Sequence, residues 1–385
     1  TKYKQESDAS RSQRNKVSEE INKLQKAKQD ISAKVKEIKQ IPVKIKELEE
    51  KQNQSYAKLQ EILKQIPNLL HSSVPVGQDE SKNKIIRTFG AKTKLKFKPK
   101  SHVDLLKSLD LADLDRAAKV SGARFYYLKN ELVELDLAVI KFALDLLKKK
   151  KFTLIRTPDM AREEAVRGAA ELGDFKETLY GIKDEDLYLI ATAEHTLASL
   201  HMNEMLSKEC LPIKYAGISA CYRREAGAHG QDQKGIFRVH EFRKVEQFIY
   251  CTPKDSWKFH EELIKNAEEI FKKLKLPYRV VSIASGALNA TAAKKYDLEV
   301  WMPAQKTYRE LVSCSNCLDY QSRKLGIRFK DGKETIHPHL LNATAVATPR
   351  ILVAILENYQ QKDGSVKVPA VLQKYVDFKK ITAKI

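Results

Sequence analysis

The sequence predicts an α+β protein: an antiparallel sheet flanked by helices, preceded by an N-terminal arm of two antiparallel coiled-coil helices. Three observations predict it. Residues 1 to about 70 contain no glycine and repeat apolar residues at helical spacing. The rest alternates β-rich segments with helical ones. Several connections between those β-rich segments are too short for crossover helices, so the pairing should be mainly antiparallel.

In the first segment the apolar positions are Val17, Ile21, Leu24, Ile31, Val35, Ile38, Ile45, Leu48, Leu59, Ile62 and Ile66. Steps of three, four and seven form the seam of helices wound as a coiled coil. Pro42 is expected to kink or start a helix. The segment carries 16 Lys/Arg and 10 Asp/Glu, a modest basic excess. A solvated helix pair and a polyanion-binding arm both fit that excess. Pro67 and SSVPVG at 72–77 mark a linker, so the expected domains are 1–72 and 73–385.

Beyond the linker, FTLIRT (152–157), DLYLIAT (186–192), YAGISACYR (215–223), FRVHEFRKVEQFIY (237–250) and YRVVSI (278–283) read as strands. ELVELDLAVIKFALDLL, broken by Glu134, Asp136, Lys141 and Asp145, reads as an amphipathic helix. SWKFHEELIKNAEEIFKKLK (256–275) and PRILVAILENYQ (349–360) are further helices.

Composition narrows the function classes. Seventy Lys/Arg against 50 Asp/Glu give a net charge of +20, which favours polyanionic partners, nucleic acid ahead of a membrane. No run of 18 apolar residues exists to span a bilayer. Five cysteines without framework spacing suggest reduced thiols in a cytosol-like compartment, and the lone Cys314-Ser-Asn-Cys317 is a poor zinc motif. No signal or transit peptide is evident. The chain begins at Thr1 rather than Met, so a leading segment is expected to precede it.

The chemistry concentrates in three places. CYRREAGAHG (221–230) ends an apolar strand on Arg223-Arg224-Glu225, where an unpaired buried ion would cost several kcal/mol. If the strand stays extended, Arg223 and Glu225 share a face and Arg224 takes the other. Gly227 and Gly230 then permit a long loop. In the following strand Arg238, Phe242 and Glu246 fall on one face if no bulge intervenes, about 13 Å apart at each step. An arginine for phosphate, a ring for a base and a carboxylate for an ammonium suit a nucleotide beside a small substrate. A solvent-facing strand side is the alternative. Third, Pro349 at the first helical position with Thr348 as cap puts Arg350 in a first turn, where the helix dipole disfavours a cation. A phosphate there would offset the penalty.

Together with RNKVSEEI, HSSVPVGQDES, TAEHTLASLH, YRREAGAHGQDQKGIFRVHEFRKVEQF, AAKKYDLEVWMPAQ, YRELVSCSNCLDYQSRKLGIRF, LLNATAVATPR and AILENYQQKDGSVKVP, the chain resembles the seryl-tRNA synthetases, a class II aminoacyl-tRNA synthetase family, in their archaeal and eukaryotic cytosolic form. The matching stretches run in family order from about residue 14 to 371.

The resemblance implies a serine–tRNA ligase. Such an enzyme activates L-serine with ATP to seryl-adenylate and pyrophosphate, then passes the seryl group to the 3′ end of tRNA(Ser). It implies Arg223 on the ATP α-phosphate and the serine carboxylate, Glu225 on the adenine amino group and Phe242 stacked on adenine. Arg238 would reach the γ-phosphate, and Arg350 would cover the other adenine face and the phosphates. Arg224, Val239, Leu311 and Val312 complete the ATP set. Arg223 and Arg350 are the implied catalytic residues, and Glu310 with Ser313 would hold magnesium or manganese. Thr192, Ala193 and Glu194, with Arg223, Glu246, Asn342 and Thr344, would bind serine.

Further implications are a tRNA-grasping arm, a homodimer built partly through residues 124 to 158, and a cytoplasmic location without membrane contact. A catalytically inactive tRNA-binding paralogue is the alternative. Three departures from the family stand out: the short segment usually ahead of the arm, a turn expected near Ala27 to Ile31 without Gly or Pro, and LLNAT in place of an HTLN-type lead-in. His337 and His339 receive no role.

Overall fold

The computed structural model describes residues 2–170, 178–225 and 234–383. Gly227 and Gly230, expected to open a long loop, lie outside the described residues. The chain forms two compact units, Thr1–Pro67 and Asn68–Ile385. The division falls ahead of residue 72 because Asn68 is already tied into the second unit. Its buried amide donates to the carbonyls of Thr291 (2.9 Å) and Cys317 (2.8 Å).

The first unit is a helix pair, α1 (Lys2–Lys26) and α2 (Ser32–Gln65). The reversal between them needs neither Gly nor Pro. Lys28 itself takes a positive φ of 54°, and the Asp30 carboxylate accepts from the Ser32 backbone N–H (2.9 Å) and hydroxyl (2.6 Å). Ion pairs Arg11–Glu49 and Lys34–Glu20 link positions that rise along one helix as they fall along the other, so the pair is antiparallel.

Val17, Ile41 and Ile45 are buried in the seam with Ile21 and Ile38 against them. The outer part of the predicted seam is not: Leu59, Ile62 and Ile66 are exposed. The reason is length, since α2 has 34 residues and α1 only 25, and the last turns of α2 lie beyond α1. Pro42 sits inside α2 rather than starting it.

The second unit is built on an eight-stranded sheet. Its strands are β1 (Lys84–Phe89), β2 (Thr153–Arg156), β3 (Ile213–Tyr222), β4 (Glu241–Cys251), β5 (Tyr278–Ser282), β6 (Lys294–Met302), β7 (Thr307–Asn316) and β8 (His339–Ala347). The order is β1-β5-β6-β7-β8-β4-β3-β2, antiparallel throughout except where β2 runs parallel to β3. Helices α3 (Glu131–Lys149), α5 (Ser256–Lys273) and α6 (Thr348–Tyr359) share one core with the sheet, contributing residues such as Val139, Leu263, Phe271 and Ile351. Each such fully buried side chain contributes about 1.5–3 kcal/mol. The short α4 (Ala193–Ser199) packs Leu197 against Phe248 and Tyr250.

Strand alternation divides β4 between these environments. Val245, Ile249 and Cys251 enter the first core, while Phe248 and Tyr250 face α4. Continuing the second face backward gives Glu246, Lys244 and Phe242.

Three local expectations change. Of DLYLIAT only Tyr188–Leu189 is strand, and Thr192 instead caps α4, accepting from the Glu194 N–H at 3.2 Å. Residues 237–240 precede β4 rather than belong to it, so Arg238 does not share a strand face with Phe242. Thr348 lies within α6 after an Ala347 cap position that has no side-chain cap bond.

Candidate active site

A cavity of about 490 Å³ opens on the sheet between β3, β4, β7, β8, α4 and the start of α6. Strand β4 supplies its floor through Phe242, Lys244 and Glu246. Strand β8 adds Asn342 and Thr344 by the same alternation.

Strand β7 reaches the cavity differently. Val312 and Cys314 point into the core, so simple alternation would send Glu310 there too. The β6–β7 register shifts between Leu298 and Glu299: Leu298 faces Val312, yet Glu299 faces Glu310. The extra residue, Leu311, is a β-bulge that turns Glu310 onto the face of Ser313. Glu310, Leu311 and Ser313 line the cavity, and Val312, expected in the ATP set, is fully buried away from it.

The cavity's cations come from separate segments. Arg223 leaves the end of β3, its guanidinium 5.2 Å from the Phe242 ring centre and its Nε donating to the Ala191 carbonyl at 3.3 Å. Arg238 pairs with Glu225 through Nε–Oε2 contact. Arg350, in the first turn of α6, donates to the Glu310 carbonyl (2.9 Å), approaches its carboxylate (3.4 Å) and lies 5.2 Å from the Phe237 ring centre.

Residue 225 is not extended; Glu225 has φ 47°, so strand alternation does not set its direction. It lines the cavity as Arg223 does, as do Val239, Thr192 and Glu194. Besides Val312, two expected residues do not: Arg224, whose backbone N–H bonds to the Thr178 carbonyl, and fully buried Ala193.

Lys244, Lys295 and His195 also line the cavity and were not anticipated. Lys244 was legible, because steps of two from Phe242 reach it before Glu246. It is buried, contacts the Glu246 carboxylate, and donates to the Thr192 hydroxyl at 2.6 Å. With the Glu194 N–H also donating there, both lone pairs of that hydroxyl are used, and its own O–H is left as a donor toward the cavity.

The carboxylates differ in charge state. Burial, then repulsion from Glu246, raises Glu194 to about 7, with Lys244 and a 2.8 Å bond from Gln321 opposing. Asn342 also donates to it at 3.0 Å. For Glu310 desolvation disfavours the charged form, but Arg350, Lys295 and Arg223 outweigh it and hold the carboxyl below its usual range. Burial and the neighbouring Lys244 and Arg223 keep His195 neutral, down to about 3.

Such a site can hold a polyanion along its arginines and a small zwitterion between Arg223 and the Glu194–Glu246 pair. The Glu310 carboxylate and the Ser313 hydroxyl, which has no hydrogen-bond partner among the described residues, are hard oxygen donors that fit a magnesium-like ion. No cluster of three or more His, Cys, Asp or Glu suited to a metal occurs among the described residues, so any such ion would need ligand or water oxygens as well.

The family model "Seryl-tRNA synthetase N-terminal domain" matches residues 1–70, and "tRNA synthetase class II core domain (G, H, P, S and T)" matches 178–359. A serine–tRNA ligase of Nitrosopumilus maritimus is 48% identical over 96% of this chain and 88% of that protein. The structure of seryl-tRNA synthetase from Pyrococcus horikoshii complexed with ATP superposes with a TM-score of 0.96 at 47% identity, covering 100% of this chain and 91% of that one. A cytoplasmic serine–tRNA ligase from Naegleria fowleri in complex with AMP gives 0.90 at 37%, covering 100% and 90%. With this likeness over nearly its whole length, the chain belongs to the seryl-tRNA synthetase family.

Proposed function

We propose that this protein is a serine–tRNA ligase. It joins L-serine to ATP as seryl-adenylate with release of pyrophosphate, then transfers the seryl group to the 3′ end of tRNA(Ser). The observation that carries this reading is the convergence of Arg223, Arg238 and Arg350 on one cavity that also holds Glu194, Glu246 and the Thr192 hydroxyl.

Serine lies with its carboxylate on Arg223 and its ammonium near Glu246 and Glu194. Thr192, restricted to donating, meets an oxygen of the substrate. Asn342 and Thr344 close the pocket. Adenine stacks between Phe242 and Arg350, and Glu225 accepts from its amino group once ATP replaces the Arg238–Glu225 pair. Val239 and Leu311 pack around the nucleotide, and Arg238 holds the γ-phosphate.

A serine carboxylate oxygen attacks the α-phosphorus, and the bond to the bridging oxygen breaks as pyrophosphate leaves. Negative charge grows on the equatorial oxygens, where the Arg223 guanidinium is already oriented, so little reorganisation is needed. Glu310 and Ser313 would hold magnesium or manganese, which when bound neutralises phosphate charge. In the second half-reaction a terminal ribose hydroxyl of tRNA attacks the adenylate carbonyl carbon and AMP departs.

The helix pair of the first unit serves as the tRNA-grasping arm, its lysines meeting phosphates in a salt-dependent way. A homodimer forms partly through residues 124 to 158, where Tyr127, Val133, Leu137 and Leu154 are exposed. No helix of the described residues is long and apolar enough to cross a membrane; the cytoplasmic location is part of the ligase reading.

ATP–pyrophosphate exchange tests the assignment without tRNA. Exchange should appear with serine and not with alanine, which leaves buried polar groups of the pocket unpaired. Absence of serine-dependent exchange refutes it.

A further inference from the structure

The segment AKTKLKFKPK (91–100) belongs to no strand or helix, yet it alternates strictly from residue 92. Lys92, Lys94, Lys96, Lys98 and Lys100 are exposed, while Thr93, Leu95, Phe97 and Pro99 are half-buried. Side chains anchor it as a strap across the end of α6. Thr93 donates to Asn358 Oδ1 (2.7 Å), the Lys100 N–H donates to Gln360 Oε1 (2.8 Å), and Gln360 Nε2 donates back to the Lys100 carbonyl (3.0 Å).

None of the five lysines makes an ion pair among the described residues, and residues 81–103 contain eight Lys/Arg and no Asp/Glu. Uncompensated like charge in one row repels itself, so the row is costly without an anionic partner. From Lys92 to Lys100 the strap spans at most about 28 Å, with a bend at Lys96 and Phe97.

Beside the row lies an apolar cleft of about 300 Å³ lined by Thr93, Leu95, Pro99, Trp301, Pro303 and Lys306. Lys92 sits 4.5 Å from the Trp301 ring centre, and Tyr308 meets that ring edge-on at 5.3 Å. Trp301 and Tyr308 pair across β6 and β7, and β7 continues two residues on to Glu310 in the catalytic cavity. The row and the cleft therefore flank the strand that leads to the reacting centre.

We infer that this lysine row and the Trp301 cleft form an RNA-binding strip on the catalytic unit, with phosphates along Lys92–Lys100 and one unstacked base against Trp301. Rows of cations beside an aromatic side chain are how proteins track a nucleic-acid strand. The inference rests on the ligase reading above, because the RNA it takes is the tRNA whose 3′ end must reach the cavity.

The test replaces Lys94, Lys96, Lys98 and Lys100 by Gln in the full chain. Lys92 is kept because it covers Trp301. Affinity for a tRNA(Ser) transcript is measured from about 50 to about 200 mM salt. If each lysine meets one phosphate, the slope of log K against log salt falls by roughly 3 (four contacts at about 0.7–0.9 each). Serine-dependent ATP–pyrophosphate exchange stays at the parent level, since no tRNA takes part.

An unchanged slope with intact exchange overturns the inference. So does a variant that loses binding to phosphatidylserine vesicles while its tRNA slope stays put. Absence of exchange in the parent chain would instead remove the ligase reading itself. With Trp257→Phe, Trp301 is the sole indole. Saturating tRNA should quench its fluorescence, and no quenching overturns the seat for the base.

Discussion

Replacing Arg350 by Ala separates function from stability at one residue. The structural cost is small. The guanidinium loses one bond to the Glu310 carbonyl and a 3.4 Å approach to its carboxylate, with side chains 25% and 42% exposed. An ion pair that open contributes about 0–1 kcal/mol. Against this, a cation in a helix's first turn costs about 0.3–1 kcal/mol, which the substitution removes. Net folding stability should therefore stay within about 1 kcal/mol of the parent.

Adenylate formation should not. Losing a preorganised donor at the phosphates costs about 2.7–4 kcal/mol in the transition state, a fall of 10²–10³ in rate. Urea denaturation measures the first quantity, ATP–pyrophosphate exchange the second, and filter binding checks that tRNA affinity is nearly retained. Destabilisation beyond about 3 kcal/mol, exchange reduced less than about tenfold, or tRNA affinity lost in step with exchange would each refute this reasoning.

Three further outcomes follow from the site and its supports. Lys244→Met should raise the KM for serine at least tenfold with the KM for ATP little changed. In a Thr192→Val background the same substitution should do much less, because Lys244 acts partly through that hydroxyl; additive effects would count against the link. Glu194 is raised from 4.5 to about 7 in the folded state. The native state therefore holds a proton that the unfolded state has released between those values, and stability falls as pH rises through that window, by up to about 3 kcal/mol. Glu194→Gln should flatten this part of a urea-midpoint profile, and an unaltered profile would exclude Glu194 as its source. Asn68→Ala strips a buried donor from two carbonyls and should cost about 2–3 kcal/mol; a melting temperature equal to the parent's would show those bonds to be dispensable.

What the chain announces by itself is whatever repeats locally. Helical spacing in the first unit exposes its two helices, because a buried stripe must recur each turn. Period-two alternation exposes the β4 face that carries Phe242, Lys244 and Glu246, and the order of the motifs identifies the family. Side-chain direction within one regular element needs no knowledge of its neighbours.

Tertiary pairing decided the rest. The Leu311 bulge that turns Glu310 to the cavity exists only relative to β6, so it leaves no periodic trace. Arg238 reaches the site from outside its strand, held there beside Glu225. The donor-only state of Thr192 depends on Lys244, 52 residues away. Leu59, Ile62 and Ile66 continue the apolar pattern beyond the end of α1 and are exposed. Local sterics set a residue's direction along its own element, whereas register, bulges and charge state belong to the partner across from it. That partner is chosen by the folded chain.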